Sequence, residues 1–246
     1  FTDNRFLQTF LELIITSMKC RPLYEKNYID IFSRFADHFT KSDYMRLFNI
    51  SNAAISFLID GDKFTPSYIQ SKLPTIKHNS LLYLFHYFQG SDKKFEINSL
   101  NEYITESDKQ MPFDTQIAQS IRSDDLDTFQ SIISHENVSL LSKIEWSFFE
   151  SMHFRNRENM PTLIEYAAYF GSLNIFKFLV LNQVLDSISH ENLNKLGEFS
   201  VIGGNYEIIH LLESKGVVYN YQFLLNSIIY QHQEIIDYFL ETHNMK

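Results

Sequence analysis

Three stretches in the C-terminal half of the chain repeat one pattern, and that pattern limits the fold more than any other feature. They are Ala168-Tyr169-Phe170-Gly171-Ser172-Leu173-Asn174-Ile175-Phe176-Lys177-Phe178-Leu179, Val201-Ile202-Gly203-Gly204-Asn205-Tyr206-Glu207-Ile208-Ile209-His210-Leu211-Leu212 and Ile228-Ile229-Tyr230-Gln231-His232-Gln233-Glu234-Ile235-Ile236-Asp237-Tyr238-Phe239. Each runs from an apolar helical segment through a tight turn to a polar residue (Asn174, Glu207 or Glu234) and a second apolar segment. In the second segments the apolar positions recur as Ile175/Phe178/Leu179, Ile208/Leu211/Leu212 and Ile235/Tyr238/Phe239. A weaker earlier copy runs from Asp124 to Ile132. Gly171 and Gly204 lie 33 residues apart; the next turn follows after 27, and the preceding copy lies 47 earlier. A helix–turn–helix unit of this length cannot bury its apolar face alone, so neighbouring units stack and share one core. Gly171 and Gly204 supply a left-handed turn between paired helices. The small Ala167 and Ala168 let a first helix pack closely on the next unit.

The rest of the composition agrees with helices. The 246 residues hold only 7 Gly and 5 Pro, less than half of average usage for both. With 44% hydrophobic residues, 23 Phe and 14 Tyr, this argues against Gly/Pro-rich disorder, collagen and turn-rich β-sandwiches. A single cysteine, Cys20, excludes a disulfide scaffold and a cysteine-based zinc site, and fits a reducing, cytoplasmic compartment. No apolar run reaches the roughly 18 residues of a membrane span. Because the sequence starts at Phe1 and not Met, it reads as a fragment, and the lack of a targeting signal carries little weight.

Residues 1–112 read as a helical segment. Phe6, Leu7, Phe10, Leu11, Ile14, Ile15 and Met18 form one stripe of a helix capped by Asp3 or Asn4 and ended at Arg21-Pro22. A second helix is expected over 25–39, with Tyr28, Ile31, Phe32, Phe35 and Phe39 inward. Ser42 opens a third. Ser51 or Asn52 opens a fourth that ends at Asp60-Gly61, and Pro66 opens a fifth that closes at Leu73-Pro74. Asn79 or Ser80 opens a sixth, with Leu81, Leu82, Leu84, Phe85 and Phe88 apolar, which stops at Gln89-Gly90. Gly61 and Gly90 sit where a left-handed residue would end a helix. Segment 91–112 is polar, with a short helix near Leu100. Lys143 to Phe154, which holds the only tryptophan, Trp146, is expected to add a helical element.

The run Thr162-Leu163-Ile164-Glu165-Tyr166-Ala167-Ala168-Tyr169-Phe170-Gly171 resembles the ankyrin Thr-Pro-Leu-His-x-Ala-Ala-x-x-Gly motif, and Glu198 to Ile209 resembles its next copy. More specifically, this part of the chain resembles the divergent ankyrin-like proteins that are numerous in trichomonad-type parasitic protists. These join an N-terminal helical segment of unknown function to degenerate repeats. The resemblance covers about 114–243 and is only compositional over 1–113. The motif proline is Leu163 and the motif histidine is Glu165, so the family's Thr–His hydrogen-bond network is absent or altered. The resemblance implies an all-α fold: an N-terminal helical bundle or array over 1–112, then an ankyrin-like helix-turn-helix solenoid of about four degenerate repeats over 113–246. It also implies protein binding through first helices and connecting loops. Tyr169, Phe170, Ile202, Gly203, Ile229 and Tyr230, at the aligned helix tips, are the candidate partner-binding residues; packing between repeats is the other use for them.

Chemistry is not legible in the chain. There is no Gly-rich phosphate loop, HExxH or GxSxG pattern, so no cofactor, metal or catalytic residue is expected. Glu150 and His153 could share a helix face, but two residues do not make a metal site. Cys20 has no activating base beside it. Residues 1–112 hold 13 basic and 13 acidic residues, whereas 113–246 hold 8 and 17, which accounts for the whole net charge of −9. An acidic segment lacks the basic footprint of a nucleic-acid binder, and no helix has the basic face of a membrane-surface helix. The expectation is a non-catalytic scaffold or adaptor that meets protein partners, basic ones by charge. The alternative is a fixed subunit of a large cytoskeletal or axonemal assembly, suggested by the rings around Tyr83, Phe85, Tyr87 and Phe88.

Overall fold

A computed structural model describes residues 4–21, 24–89, 95–112, 114–147, 150, 154 and 157–242. The described residues form fifteen α-helices, with no β-strand beyond a single bridge between Lys143 and Thr162. The chain divides into two compact units, 1–113 with 147–155, and 114–146 with 156–246. No helix among the described residues is long and apolar enough to cross a membrane.

The first unit contains α1 (Asn4–Cys20), α2 (Glu25–Ser33), α3 (Lys41–Phe48), α4 (Asn52–Asp60), α5 (Pro66–Lys72), α6 (His78–Gln89) and the short α7 (Glu106–Lys109). Helices α2, α4 and α6 lie side by side in that order. Leu11, Phe32, Leu47, Phe48, Ile55, Leu58, Leu82 and Leu84 are completely buried in the core of this unit. Capping chemistry sets the starts of several helices. Thr40 and Asp43 exchange hydrogen bonds in a capping box at α3, and Thr105 and Asp108 do the same at α7. Ser51 caps α4 through the Ala54 amide.

Several expectations need correction here. The helix expected over 25–39 ends at Ser33, and Ala36–His38 forms a separate 3-10 turn. The Ala36 carbonyl at the break accepts the Tyr44 hydroxyl. The third helix is capped by Thr40, ahead of Ser42. Gly61 is not left-handed (φ −79°); the left-handed residue is the next one, Asp62, at φ 54°. Gly90 lies outside the described residues, as do Asp3 and Pro22. The short helix near Leu100 is a 3-10 turn, Ile97–Leu100. No helix runs through Lys143–Ser147. Lys143 pairs with Thr162, and the Ile144 amide donates to the Pro161 carbonyl at 2.8 Å, so this stretch is extended. Most of the remainder, including Phe148, Phe149 and His153, lies outside the described residues.

The second unit consists of four helical hairpins: α8 (Gln116–Arg122) with α9 (Leu126–Glu136), α10 (Leu163–Phe170) with α11 (Leu173–Leu181), α12 (His190–Gly203) with α13 (Tyr206–Ser214), and α14 (Tyr221–Ile229) with α15 (Gln233–Thr242). The first helices pack in the order α8, α10, α12, α14, and the second helices in the order α9, α11, α13. Ile175/Leu179, Ile208/Leu212 and Ile235/Phe239 are buried in α11, α13 and α15, whereas Phe178, Leu211 and Tyr238 are half-buried.

Candidate interaction surface

The four turns share one left-handed residue. Asp124, Gly171, Gly204 and Gln231 have φ of 52°, 69°, 71° and 59°, and each second helix starts two residues later. In three of them the amide just after this residue donates to a carbonyl five residues back: Asp125 to Ser120, Ser172 to Ala167 and His232 to Ser227, all at 2.9 Å. This is the Schellman arrangement, which closes off helix carbonyls that would otherwise lack partners. The residue four before the left-handed position is small and buried in every hairpin: Ser120, Ala167, Ser200 and Ser227. The 33, 27 and 47 spacings therefore connect equivalent positions. Asp124 and Gln231 hold a conformation that costs an L-residue about 1 kcal/mol. Gln231→Gly is accordingly expected to raise stability by about 1 kcal/mol, read as a higher urea midpoint.

Each of the last three hairpins is also fastened to the one before it by the residue after its left-handed position. The Ser172 hydroxyl donates to the Ile121 carbonyl. Asn205 Nδ2 donates to the Gly171 carbonyl at 3.1 Å, and His232 Nε2 to the Ile202 carbonyl at 2.8 Å. Asp124 works in the other direction, its carboxylate accepting from the amides of Asn174 (3.1 Å) and Ile175 (3.0 Å) at the start of α11. The motif histidine position is filled by Glu165, which forms a capping box with Thr162, accepting the Thr162 amide at 2.8 Å. Its other oxygen lies 3.0 Å from the Lys195 ammonium on α12. A carboxylate thus replaces an imidazole and ties α10 to α12.

The six candidate residues divide by use. Phe170 is buried against Tyr166, their ring centroids 4.7 Å apart. Gly203 is the point of closest approach between α10 and α12: a Cβ there would overlap the Ala168 carbonyl oxygen and lie 2.8 Å from the Gly171 nitrogen. These two serve packing. Ile202, half-buried, presents its carbonyl to His232. Tyr169 is half-buried and stands edge-on to Phe199 at 5.7 Å, with the Lys195 ammonium 5.4 Å above the Phe199 ring. Tyr230 is half-buried and Ile229 exposed. Sequence reasoning missed Phe199, Lys195, Tyr221, Leu225 and Ile228. The last three are exposed on α14, and the available signal was the absence of any Asp, Glu, Lys or Arg between Lys215 and Glu234 in an otherwise acidic segment.

Among the described residues, the titratable groups singled out as candidates are either dispersed or enclosed. Among the described residues no three His, Cys, Asp or Glu side chains are placed to hold a metal ion. Burial pushes the Cys20 thiol above its ordinary value, against the weaker pull of Arg21 and Lys19, so it stays protonated. Tyr206, His210, Tyr238 and Glu213 gather on α13 and α15, but the three ring centroids are 4.3 to 5.0 Å apart, edge to face, leaving no room for a guest. There the Tyr238 hydroxyl donates to Glu213 at 2.6 Å, and burial followed by that hydrogen bond raises it well above the usual phenol value. Burial also raises Tyr219, whose hydroxyl lies 3.1 Å from Ser200 Oγ. An open cleft in the first unit, lined by Pro66, Ser67, Gln70, Phe95 and Glu96, has a volume of about 510 Å³. It holds one carboxylate, which accepts from Gln70 Nε2 at 3.0 Å. On the first helices of the second unit the exposed or half-buried aromatic and aliphatic side chains include Tyr169 on α10, Phe199 and Ile202 on α12, and Tyr221, Leu225, Ile228 and Ile229 on α14. No family model, curated protein or solved structure matches the chain.

Proposed function

We propose that residues 114–242 are an ankyrin-like solenoid of four degenerate repeats that acts as a non-catalytic protein-interaction module. The observation that carries this reading is the four-fold recurrence of one left-handed turn, with the residue after it fastened to the preceding hairpin in the last three copies. Such an array holds side chains on successive first helices in fixed register, which lowers the entropy lost on binding an extended protein surface. Tyr169, Phe199, Ile202 and Ile229 are the side chains this module would present. Aromatic and aliphatic anchors with a polar rim are the usual composition of binding hot spots. The 17 acidic residues against 8 basic ones over 113–246 favour a basic partner. The rings that suggested a fixed assembly subunit are engaged inside the first unit: Tyr83 with Ser56, and Tyr87 with Asp60.

The test is affinity capture from native extract, identification of the enriched protein, and titration of that purified protein against the intact chain. Tyr169→Ala with Ile202→Ala is expected to weaken binding at least about tenfold while hydrogen-exchange protection of α10 and α12 persists. Binding is also expected to weaken as salt rises. Unchanged affinity in the double variant, or no direct binder, would remove the reading.

A further inference from the structure

We propose that the cleft beside α5 in the first unit is a binding site for a guanidinium group, carried by an arginine side chain of another polypeptide. Its volume of about 510 Å³ falls in the range of ligand sites. Gln70 follows Ser67 by three residues and Pro66 by four, so the three share one face of α5. The opposite wall is Phe95 and Glu96, just before the 3-10 turn Ile97–Leu100. The Phe95 ring lies flat on Phe88, with centroids 4.3 Å apart and planes 3° apart. Phe88 is a core residue, 4% exposed. Phe95 is thereby fixed on one side, and it meets the cleft with the rest of its ring.

The polar atoms select the ligand. Glu96 is exposed, and its Oε2 accepts from Gln70 Nε2 at 3.0 Å. A carboxylate only accepts, so the Gln70 amide turns its NH2 group toward it and keeps Oε1 as an acceptor for a guest. Ser67 Oγ, 3.2 Å from Thr65 Oγ1, is a further acceptor. The lining thus combines one negative charge and two neutral acceptors with an aromatic ring, and it holds no lysine or arginine. Lys41 and Lys72 are held over the Tyr68 ring, 4.7 and 5.9 Å from its centroid, and none of these three lines the cleft. Guanidinium suits this set: it has five N–H donors and no acceptor, a planar fork that matches a carboxylate, and a face that stacks on a ring. An ammonium brings the charge without the fork or the plane. Residues 1–112 hold 13 basic and 13 acidic residues, so the net charge of this segment does not repel a cation. The cleft is open, which suits a side chain still attached to its backbone better than a free small molecule, since such molecules are normally enclosed on most of their surface.

The experiment is a titration of the isotope-labelled intact chain with the tripeptide acetyl-Gly-Arg-Gly-amide, followed by proton–nitrogen correlation spectra. One forked ion pair and one stacked ring in an open cleft correspond to a Kd on the order of 1 mM. The Gln70 side-chain NH2 and the Phe95 and Glu96 amides are expected to shift. The citrulline tripeptide, of equal size but uncharged, is expected to bind at least about tenfold more weakly, and the lysine tripeptide about threefold more weakly. Methylguanidinium is expected to bind no tighter than the arginine tripeptide. Glu96→Gln, at an exposed position, is expected to weaken binding at least about tenfold with the remaining resonances in place. No shift at about 20 mM arginine tripeptide, equal binding of the citrulline tripeptide, tighter binding of methylguanidinium, or an affinity unchanged in Glu96→Gln would each overturn the proposal. The first three outcomes need only the wild-type chain, so a variant that fails to fold does not obscure the answer. None of the residues at this cleft is used in the partner-binding test, so the two readings can fail separately.

Discussion

Gly203→Ala is expected to destabilise the second unit by about 3 kcal/mol, the upper part of the range for forced overpacking. The added Cβ would overlap the Ala168 carbonyl oxygen and sit 2.8 Å from the Gly171 nitrogen and 3.0 Å from the Tyr169 carbonyl oxygen. All three are backbone atoms, so no side-chain rotation relieves the overlap; α10 and α12 must move apart. Separation would also lengthen the 3.1 Å bond from Asn205 Nδ2 to the Gly171 carbonyl. Gly216 is the control. Its φ is 95° but a Cβ there meets nothing within 4 Å, so Gly216→Ala should cost only the conformational strain, about 1 kcal/mol. Native-state hydrogen exchange of the α10 and α12 amides measures both changes locally. Equal protection in the two variants would mean that the helix approach is not constrained as described.

The second large effect is expected at Asp114. Its carboxylate pairs with the Arg122 guanidinium, the two side chains being 10% and 9% exposed, and Arg122 Nη1 donates to the Tyr166 hydroxyl at 2.6 Å. Removing one partner of a buried pair leaves a desolvated charge, and Asp114→Ala should therefore cost about 3 kcal/mol. The cost belongs mainly to the stranded guanidinium. Asp114→Leu combined with Arg122→Met should consequently recover the larger part, since apolar replacement of both members of a buried pair is often close to neutral. Urea midpoints of the single and double variants test this. A double variant as unstable as Asp114→Ala would show that the pair contributes specific stability and not just a charge that needs a partner.

The limits of sequence reasoning are physical and can be seen residue by residue. Period and turn chemistry are local, so the hairpins α10–α11, α12–α13 and α14–α15 are visible in the pattern of Ile175, Ile208 and Ile235 around Gly171, Gly204 and Gln231. The same holds for the buried face of α6, because Leu81, Leu82, Leu84, Phe85 and Phe88 fall within a single helix. The Thr40–Asp43 and Thr105–Asp108 capping boxes follow a local pattern, an acid three residues after a threonine, yet the expected third helix opens at Ser42 and none is expected at Thr105. The break after Ser33 was not readable, since the carbonyl at that break is bound by Tyr44, from the following helix.

The division of labour at the candidate surface follows the same reasoning. The sequence by itself determined that the chain is helical, that its C-terminal half repeats, and that the acid excess lies in that half; each rests on residue types and short spacings. Only the tertiary structure decided what the aligned tips do. Phe170 and Gly203 occupy helix-tip positions just as Ile229 does, yet the first two are consumed in contact between neighbouring helices and the last faces outward. That difference depends on whether another helix packs against each tip. Burial is a property of the neighbour, and no local pattern in Phe170, Gly203 or Ile229 records whether a neighbour is present.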